Sequence, residues 1–143
     1  MNNIEVEKAV LGCIITQPLI LLDIPKKLDL FSDEKNQVIF KKLIEFSENN
    51  IEPDIVSLHH DLKREDISLL YLQEIITGDY FIGNIKSYIK SLVDFYEYRK
   101  FSFLAGKILV DIKNNEDLND IKSEIMQSLE DDIENIDLHT KNL

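Results

Sequence analysis

A chain of 143 residues, 44% hydrophobic and 30% charged, has the size and composition of one globular domain, not of a disordered segment. At that length about two thirds of the unfolded chain's surface is buried on folding, enough for a core without metal or disulfide staples. The net charge of −11, with 8 basic and 15 acidic residues up to Gly83 and 8 and 12 after it, excludes strong nucleic-acid binding by this chain alone, because neutralising phosphate needs an excess of lysine and arginine.

Four glycines and three prolines are too few for an all-β domain full of tight turns. The sole cysteine, Cys13, lies in AVLGCII and reads as a small buried hydrophobe in a reducing compartment. No apolar run approaches the roughly 18 residues of a membrane span. The N-terminus also lacks the basic start of a signal peptide. A soluble, cytoplasmic protein without a membrane partner is expected.

In chain order, Asn2 or Asn3 can cap a first helix with Glu5 and Glu7 in its first turn. Ile4, Ala9, Val10, Cys13 and Ile14 supply its apolar side, and Gln17-Pro18 stops it. Gly12 inside that helix costs roughly 1 kcal/mol against alanine, a loss that close approach of another helix would offset. A short apolar turn follows from Leu19 to Ile24, limited by Pro25.

Ser32 or Asp33 can cap the next helix, DEKNQVIFKKLIEFSEN. Val38, Ile39, Leu43 and Phe46 form its inner stripe, flanked by Phe40 and Ile44, and Asn49-Asn50 ends it. Asp54 is the expected cap of a third helix that turns Ile55, Leu58 and Leu62 inward. Asp66 is the expected cap of a fourth piece reaching Thr77, with Ile67, Leu70, Tyr71, Leu72, Ile75 and Ile76 inside and Gly78 as a left-handed terminator.

After the loop GDYFIG, Asn84 can cap one long proline-free helix to Lys113. Its apolar residues fall into two stripes. Ile85, Tyr88, Ile89, Leu92, Phe95 and Tyr96 make the first. Beyond Arg99 and Lys100 the pattern restarts at Phe101, Leu104, Ile108 and Ile112, rotated by the five-residue step from Tyr96 to Phe101. Two differently aimed faces should touch two different things: the first half closes a head and the second half projects to meet partners. Asn114-Asn115 breaks this helix, and a last one from about Asp117 to Ile136 carries Leu118, Ile121, Ile125, Leu129, Ile133 and Ile136. A long helix, a tight turn and an amphipathic helix make a helical hairpin.

The fold class is therefore all-α, a compact helical bundle with a C-terminal hairpin. Residues 1–97 form the head, 98–136 a dimerisation arm continuous with it through helix 84–113, and 137–143 a frayed tail. The expected head core holds Val10, Val38, Ile39, Phe40, Leu43, Leu58, Leu62, Leu72, Ile85, Tyr88 and Leu92. The expected oligomer interface is Phe101, Leu104, Ile108, Ile112, Leu118, Ile121, Ile125 and Leu129, some of which the hairpin must also use internally.

Chemistry-bearing patterns are scarce. His59 and His60 are neighbours, so on a helix they point about 100° apart and cannot share a metal as an i, i+4 pair can. With one cysteine and only His139 besides, no metal-ligand set assembles. The acidic run of Glu130, Asp131, Asp132 and Glu134 lacks the glycine and alternating spacing of a calcium loop, and reads as a solvated helix face. Neither a G-x-x-x-x-G-K-S/T loop nor a G-x-S-x-G elbow is present, so neither catalysis nor a catalytic residue is expected.

Several stretches nonetheless carry a resemblance. IEVEKAVLG, from Ile4 to Gly12, is similar to the opening of the N-terminal domain of DnaB-type replicative DNA helicases. DLFSDEKNQVIFKKLIEFSENNIEPDIVSLHHDLKR, from Asp29 to Arg64, resembles that domain's next run at Phe31, Gln37, Val38, Ile39, Phe40, Pro53, Asp54, Val56, Ser57 and Leu58. LLYLQEI, from Leu69 to Ile75, and Asn84-Ile85, Tyr88 and Arg99 continue it, so that it covers about residues 4 to 135. Asn36 stands where the pattern has histidine, Asn50 where glycine is common, and Pro25 shortens the second helix. These departures are expected to bear on surface recognition and not on the fold.

The resemblance implies a non-catalytic collar domain whose hairpins pair between subunits, as a dimer or a trimer of dimers. It also implies docking of primase, through its C-terminal helicase-binding domain, or of a helicase loader. It implies no cofactor for this stretch, since ATP and magnesium belong to an ATPase domain that would begin where this chain stops. A stand-alone phage- or plasmid-encoded accessory protein imitating the domain remains an alternative. So does the helicase-binding domain of a primase, although IEVEKAVLG at the very start favours the helicase side.

Overall fold

The computed structural model of the chain describes residues 1–141, with side chains to Asp131. It is all-α, with no strand among the described residues. The chain divides into two compact units, Met1–Tyr96 and Glu97–Leu143. The first unit comprises α1 (Asn3–Thr16), 3-10 turns at Pro18–Asp23 and Leu28–Leu30, α2 (Glu34–Glu48), α3 (Ile55–Leu62), a 3-10 turn at Lys63–Glu65, α4 (Leu69–Ile76), a 3-10 turn at Ile82–Asn84, and the start of α5 (Ile85–Lys113). The second holds the rest of α5 and α6 (Leu118–Lys141). Expectations that fall on Asp132, Ile133, Glu134, Ile136, His139 and the tail after Asp137 lie outside the described side chains.

The head is built around α1. Asn2 caps it with a reciprocal capping box, its Oδ1 accepting from the Glu5 N–H at 2.8 Å while Glu5 Oε2 accepts from the Asn2 N–H at 2.9 Å. From Val6 to Ile15 the buried side chains cover nearly the whole circumference, including Val10, Leu11, Cys13 and Ile14. Such a helix must be wrapped on all sides. Burial pushes the Cys13 thiol up to about 11, which leaves it an inert packing group. Gly12 permits the closest approach: a Cβ there would meet the Ile75 carbonyl and the Tyr80 ring at 2.7 Å. The segment that packs on Gly12 is thus the end of α4 and the turn after it.

Around α1 the core gathers Ile39, Phe40, Leu43, Phe46, Leu58, Leu62, Leu72, Ile75, Ile89, Leu92 and Tyr96, with Val38, Ile85, Tyr88 and Phe95 partly buried against it. Phe31 and Phe40 sit ring to ring at 4.7 Å. Asp33 caps α2 and Asp54 caps α3, where the Ser57 N–H and hydroxyl both reach the carboxylate and hold it below the usual range.

Several local expectations are corrected. Ile4 faces solvent, and Glu7, expected in the open first turn, is wholly buried. Its carboxylate accepts from Ser32 N–H (3.0 Å), Ser32 Oγ (2.6 Å), Asp33 N–H (3.3 Å) and Asn36 Nδ2 (3.0 Å), so the loop before α2 and the first turn of α2 satisfy it. Asn36 is likewise buried and accepts from the Tyr71 hydroxyl, so it is a core polar residue and not a surface one. Asp66 is left-handed (φ 61°) and Ser68 caps α4 instead, which turns Leu70 outward. Gly78 is not left-handed. Asn50 and Asn115 take positive φ (56° and 57°), each followed by the 6→1 backbone bond that closes a helix, Ile51 N–H to Phe46 O and Glu116 N–H to Asp111 O. Asn84, expected as a cap, ends a 3-10 turn leading into α5, and α6 runs on to Lys141, past Ile136.

Candidate protein interaction surface

Within the second unit, α5 and α6 form an antiparallel hairpin closed by Asn114–Asp117. Lys107 Nζ meets Glu124 Oε2 at 3.0 Å, which reports their register, and the carboxylate holds the ammonium above its usual value. Ile121 is 5% exposed and seals the seam, while Leu104, Ile108 and Ile125 are half-buried beside it.

Among the described residues, further large apolar side chains are exposed, among them Phe101, Leu109 and Ile112 on α5, and Leu118, Met126 and Leu129 on α6. At about 100° per residue, each triplet lies within about 80° on its helix, on the same rotational side of the seam residues. In an antiparallel pair that common side looks the same way on both helices. The two triplets therefore make one apolar face. Lys107 and Glu124 fall on the other side of the seam by the same reckoning, in agreement with their ion pair. Phe103 and Val110 are also exposed, away from the six-residue face.

Of the eight expected interface residues, Phe101, Ile112, Leu118 and Leu129 stand in this face, Leu104, Ile108 and Ile125 at its base, and Ile121 in the seam. The exposed face also takes in Leu109 and Met126, which the expected set lacks. Neither lies on the single line of three- and four-residue steps, yet each falls about 60° from the exposed residue nearest to it, still within one helix face. On the head, the expected core positions Val10, Ile39, Phe40, Leu43, Leu58, Leu62, Leu72 and Leu92 are buried, and Val38, Ile85 and Tyr88 partly so.

Among the described residues, no three His, Cys, Asp or Glu side chains come together to hold a metal, and no helix is long and apolar enough to cross a membrane. His60 Nδ1 lies 3.2 Å from Asp61 Oδ1 near the end of α3. What the surface offers is apolar area and negative charge.

No curated protein and no solved structure matches this chain. The family model described as "DnaB-like helicase N terminal domain" matches residues 1–94, the head and the first turns of α5. The hairpin lies beyond the matched stretch, so the likeness read from the sequence over residues 4 to 135 is shown for about two thirds of the chain. An all-α head wrapped around a capped, nearly all-buried first helix, and matched by that model from its first residue into α5, makes the chain a member of the DnaB-like helicase N-terminal domain family.

Proposed function

We propose that this chain acts as the non-catalytic collar domain of a replicative DNA helicase, pairing subunits through the hairpin and receiving primase or a loader in DNA replication. The observation that carries the pairing role is the apolar face of Phe101, Leu109, Ile112, Leu118, Met126 and Leu129, left open by the hairpin itself. Desolvating such side chains is worth about 1.5–3 kcal/mol each. Set against an association cost of roughly 4–15 kcal/mol, this supports a weak dimer, and a trimer of dimers only with further contacts. The docking role rests on family membership, together with an acidic surface that suits basic protein partners better than DNA. The reading assigns no cofactor to this chain and places it in the cytoplasm.

Sedimentation equilibrium tests the pairing, and titration with the C-terminal domain of the cognate primase tests the docking. A dimer or larger oligomer dispersed by Leu109→Asp with Met126→Asp is expected. A pure monomer at hundreds of micromolar overturns the pairing role.

A further inference from the structure

We propose that an apolar groove on the head, remote in sequence from the hairpin, is a docking site for an amphipathic helix with a basic flank, supplied by a partner protein. This rests on the docking half of the function proposed above and not on the pairing half. The groove has a volume of about 620 Å³ and is lined by Pro18, Leu19, Leu22, Ile51, Glu52 and Pro53, with buried Ile14 and Leu43 at its floor. That volume is of the size that takes several large side chains.

Its apolar walls are not a by-product of core packing. In the 3-10 turn PLILLD, Ile20 and Leu21 are buried, whereas Leu19 and Leu22 are 79% and 60% exposed. A six-residue turn that carries leucine on its solvent side as well as its core side is made for two contacts. The facing wall is Ile51, 48% exposed, held by its N–H bond to Phe46 O just after the left-handed Asn50. Pro18 and Pro53 stiffen the two lips, so little conformational freedom is lost on binding.

Charge selects the occupant. Among the described lining residues Glu52 is the only acidic one and none is lysine or arginine, and Glu48 and Asp54 stand exposed close by in the chain. A ligand with apolar residues at i, i+3/i+4 and i+7 fills the cleft, and lysine or arginine beside that stripe meets the acidic edge. An acidic or wholly apolar helix lacks the second contact.

The test uses the full chain and two 18-residue designed helices, one of leucine and lysine and one of leucine and glutamate with the same leucine stripe. Methyl chemical-shift mapping should place the leucine–lysine helix at Leu19, Leu22 and Ile51, with at least tenfold tighter binding than the leucine–glutamate helix. Leu22→Asp, at an exposed position that leaves the melting curve unchanged, should weaken it at least tenfold, and Glu52→Lys should remove the preference between the two helices. Shifts confined to the hairpin face, equal binding of both helices, or indifference to Leu22→Asp would overturn the proposal. The cognate primase C-terminal domain gives the separate arm. If it binds the wild-type chain and Leu22→Asp equally, the groove assignment fails and the collar function stands. If it does not bind at all while the leucine–lysine helix seats in the groove, the docking function fails and the groove assignment stands.

Discussion

The Asn36 side-chain amide donates to the Glu7 carboxylate at 3.0 Å, and both residues are wholly buried. Through Ser32, Asp33 and Tyr71 this pair ties α1 to the start of α2 and to α4. Glu7→Gln supplies a donor where Ser32, Asp33 and Asn36 all need an acceptor. Losing charge-assisted hydrogen bonds and stranding a buried donor should cost about 1.5–3 kcal/mol. Glu7→Ala should cost at least as much. Urea unfolding of the full chain should show a lower midpoint at an unchanged slope for both.

Tyr71 makes the network sensitive to alkali. Burial, then the negative charges of Asp33, Glu7 and Glu74, push its phenol from 10.0 up to about 12, only partly countered by its bond to Asn36. The folded state thus favours the protonated phenol. Its stabilising contribution is whole below pH 10 and is lost as pH rises through about 12. Tyr71→Phe should cost about 1 kcal/mol at neutral pH through the lost hydrogen bond. It should also show a shallower decline in stability over that alkaline window, read from urea midpoints against pH.

The two helical glycines should respond in opposite directions to alanine. At Gly12 the helix-propensity gain of about 1 kcal/mol is overruled by a Cβ placed 2.7 Å from the Ile75 carbonyl, a backbone atom that cannot step aside cheaply. A net loss of about 1–3 kcal/mol is expected for Gly12→Ala. At Gly106 a Cβ meets nothing within 4 Å, so Gly106→Ala should stabilise α5 by about 1 kcal/mol. Paired thermal melts check the contrast in sign.

Position in the hairpin should decide whether a charge disrupts folding or assembly. Ile121→Asp places a carboxylate in the seam and should destabilise the hairpin, seen as lost helicity by circular dichroism. Leu109→Asp and Met126→Asp change exposed positions, so helicity should hold while the sedimentation weight falls to the monomer. Phe103→Asp, also exposed but away from that face, is the control expected to leave assembly unchanged.

Periodicity and punctuation determined most of the secondary structure. The three- and four-residue steps mark every long helix, Asn2, Asp33 and Asp54 cap as their side chains dictate, and the Asn49-Asn50 and Asn114-Asn115 pairs end helices because asparagine tolerates the left-handed turn. The five-residue step after Tyr96 was equally legible, because it depends only on the helical repeat. The tertiary structure decided which side of each helix was buried and against what. Glu7 reads as a first-turn surface acid, since nothing local reveals that Ser32, Asp33 and Asn36, distant in the chain, will bring it four donors. Leu19 and Leu22 read as ordinary apolar turn residues, and only the return of Ile51 and Pro53 beside them makes a groove. In the hairpin, local spacing named the stripe. Assigning Ile121 to the seam and Leu109 and Met126 to the open face required the α5–α6 register that the Lys107–Glu124 pair reports, because burial is a property of the partner surface and not of the helix that carries the residue.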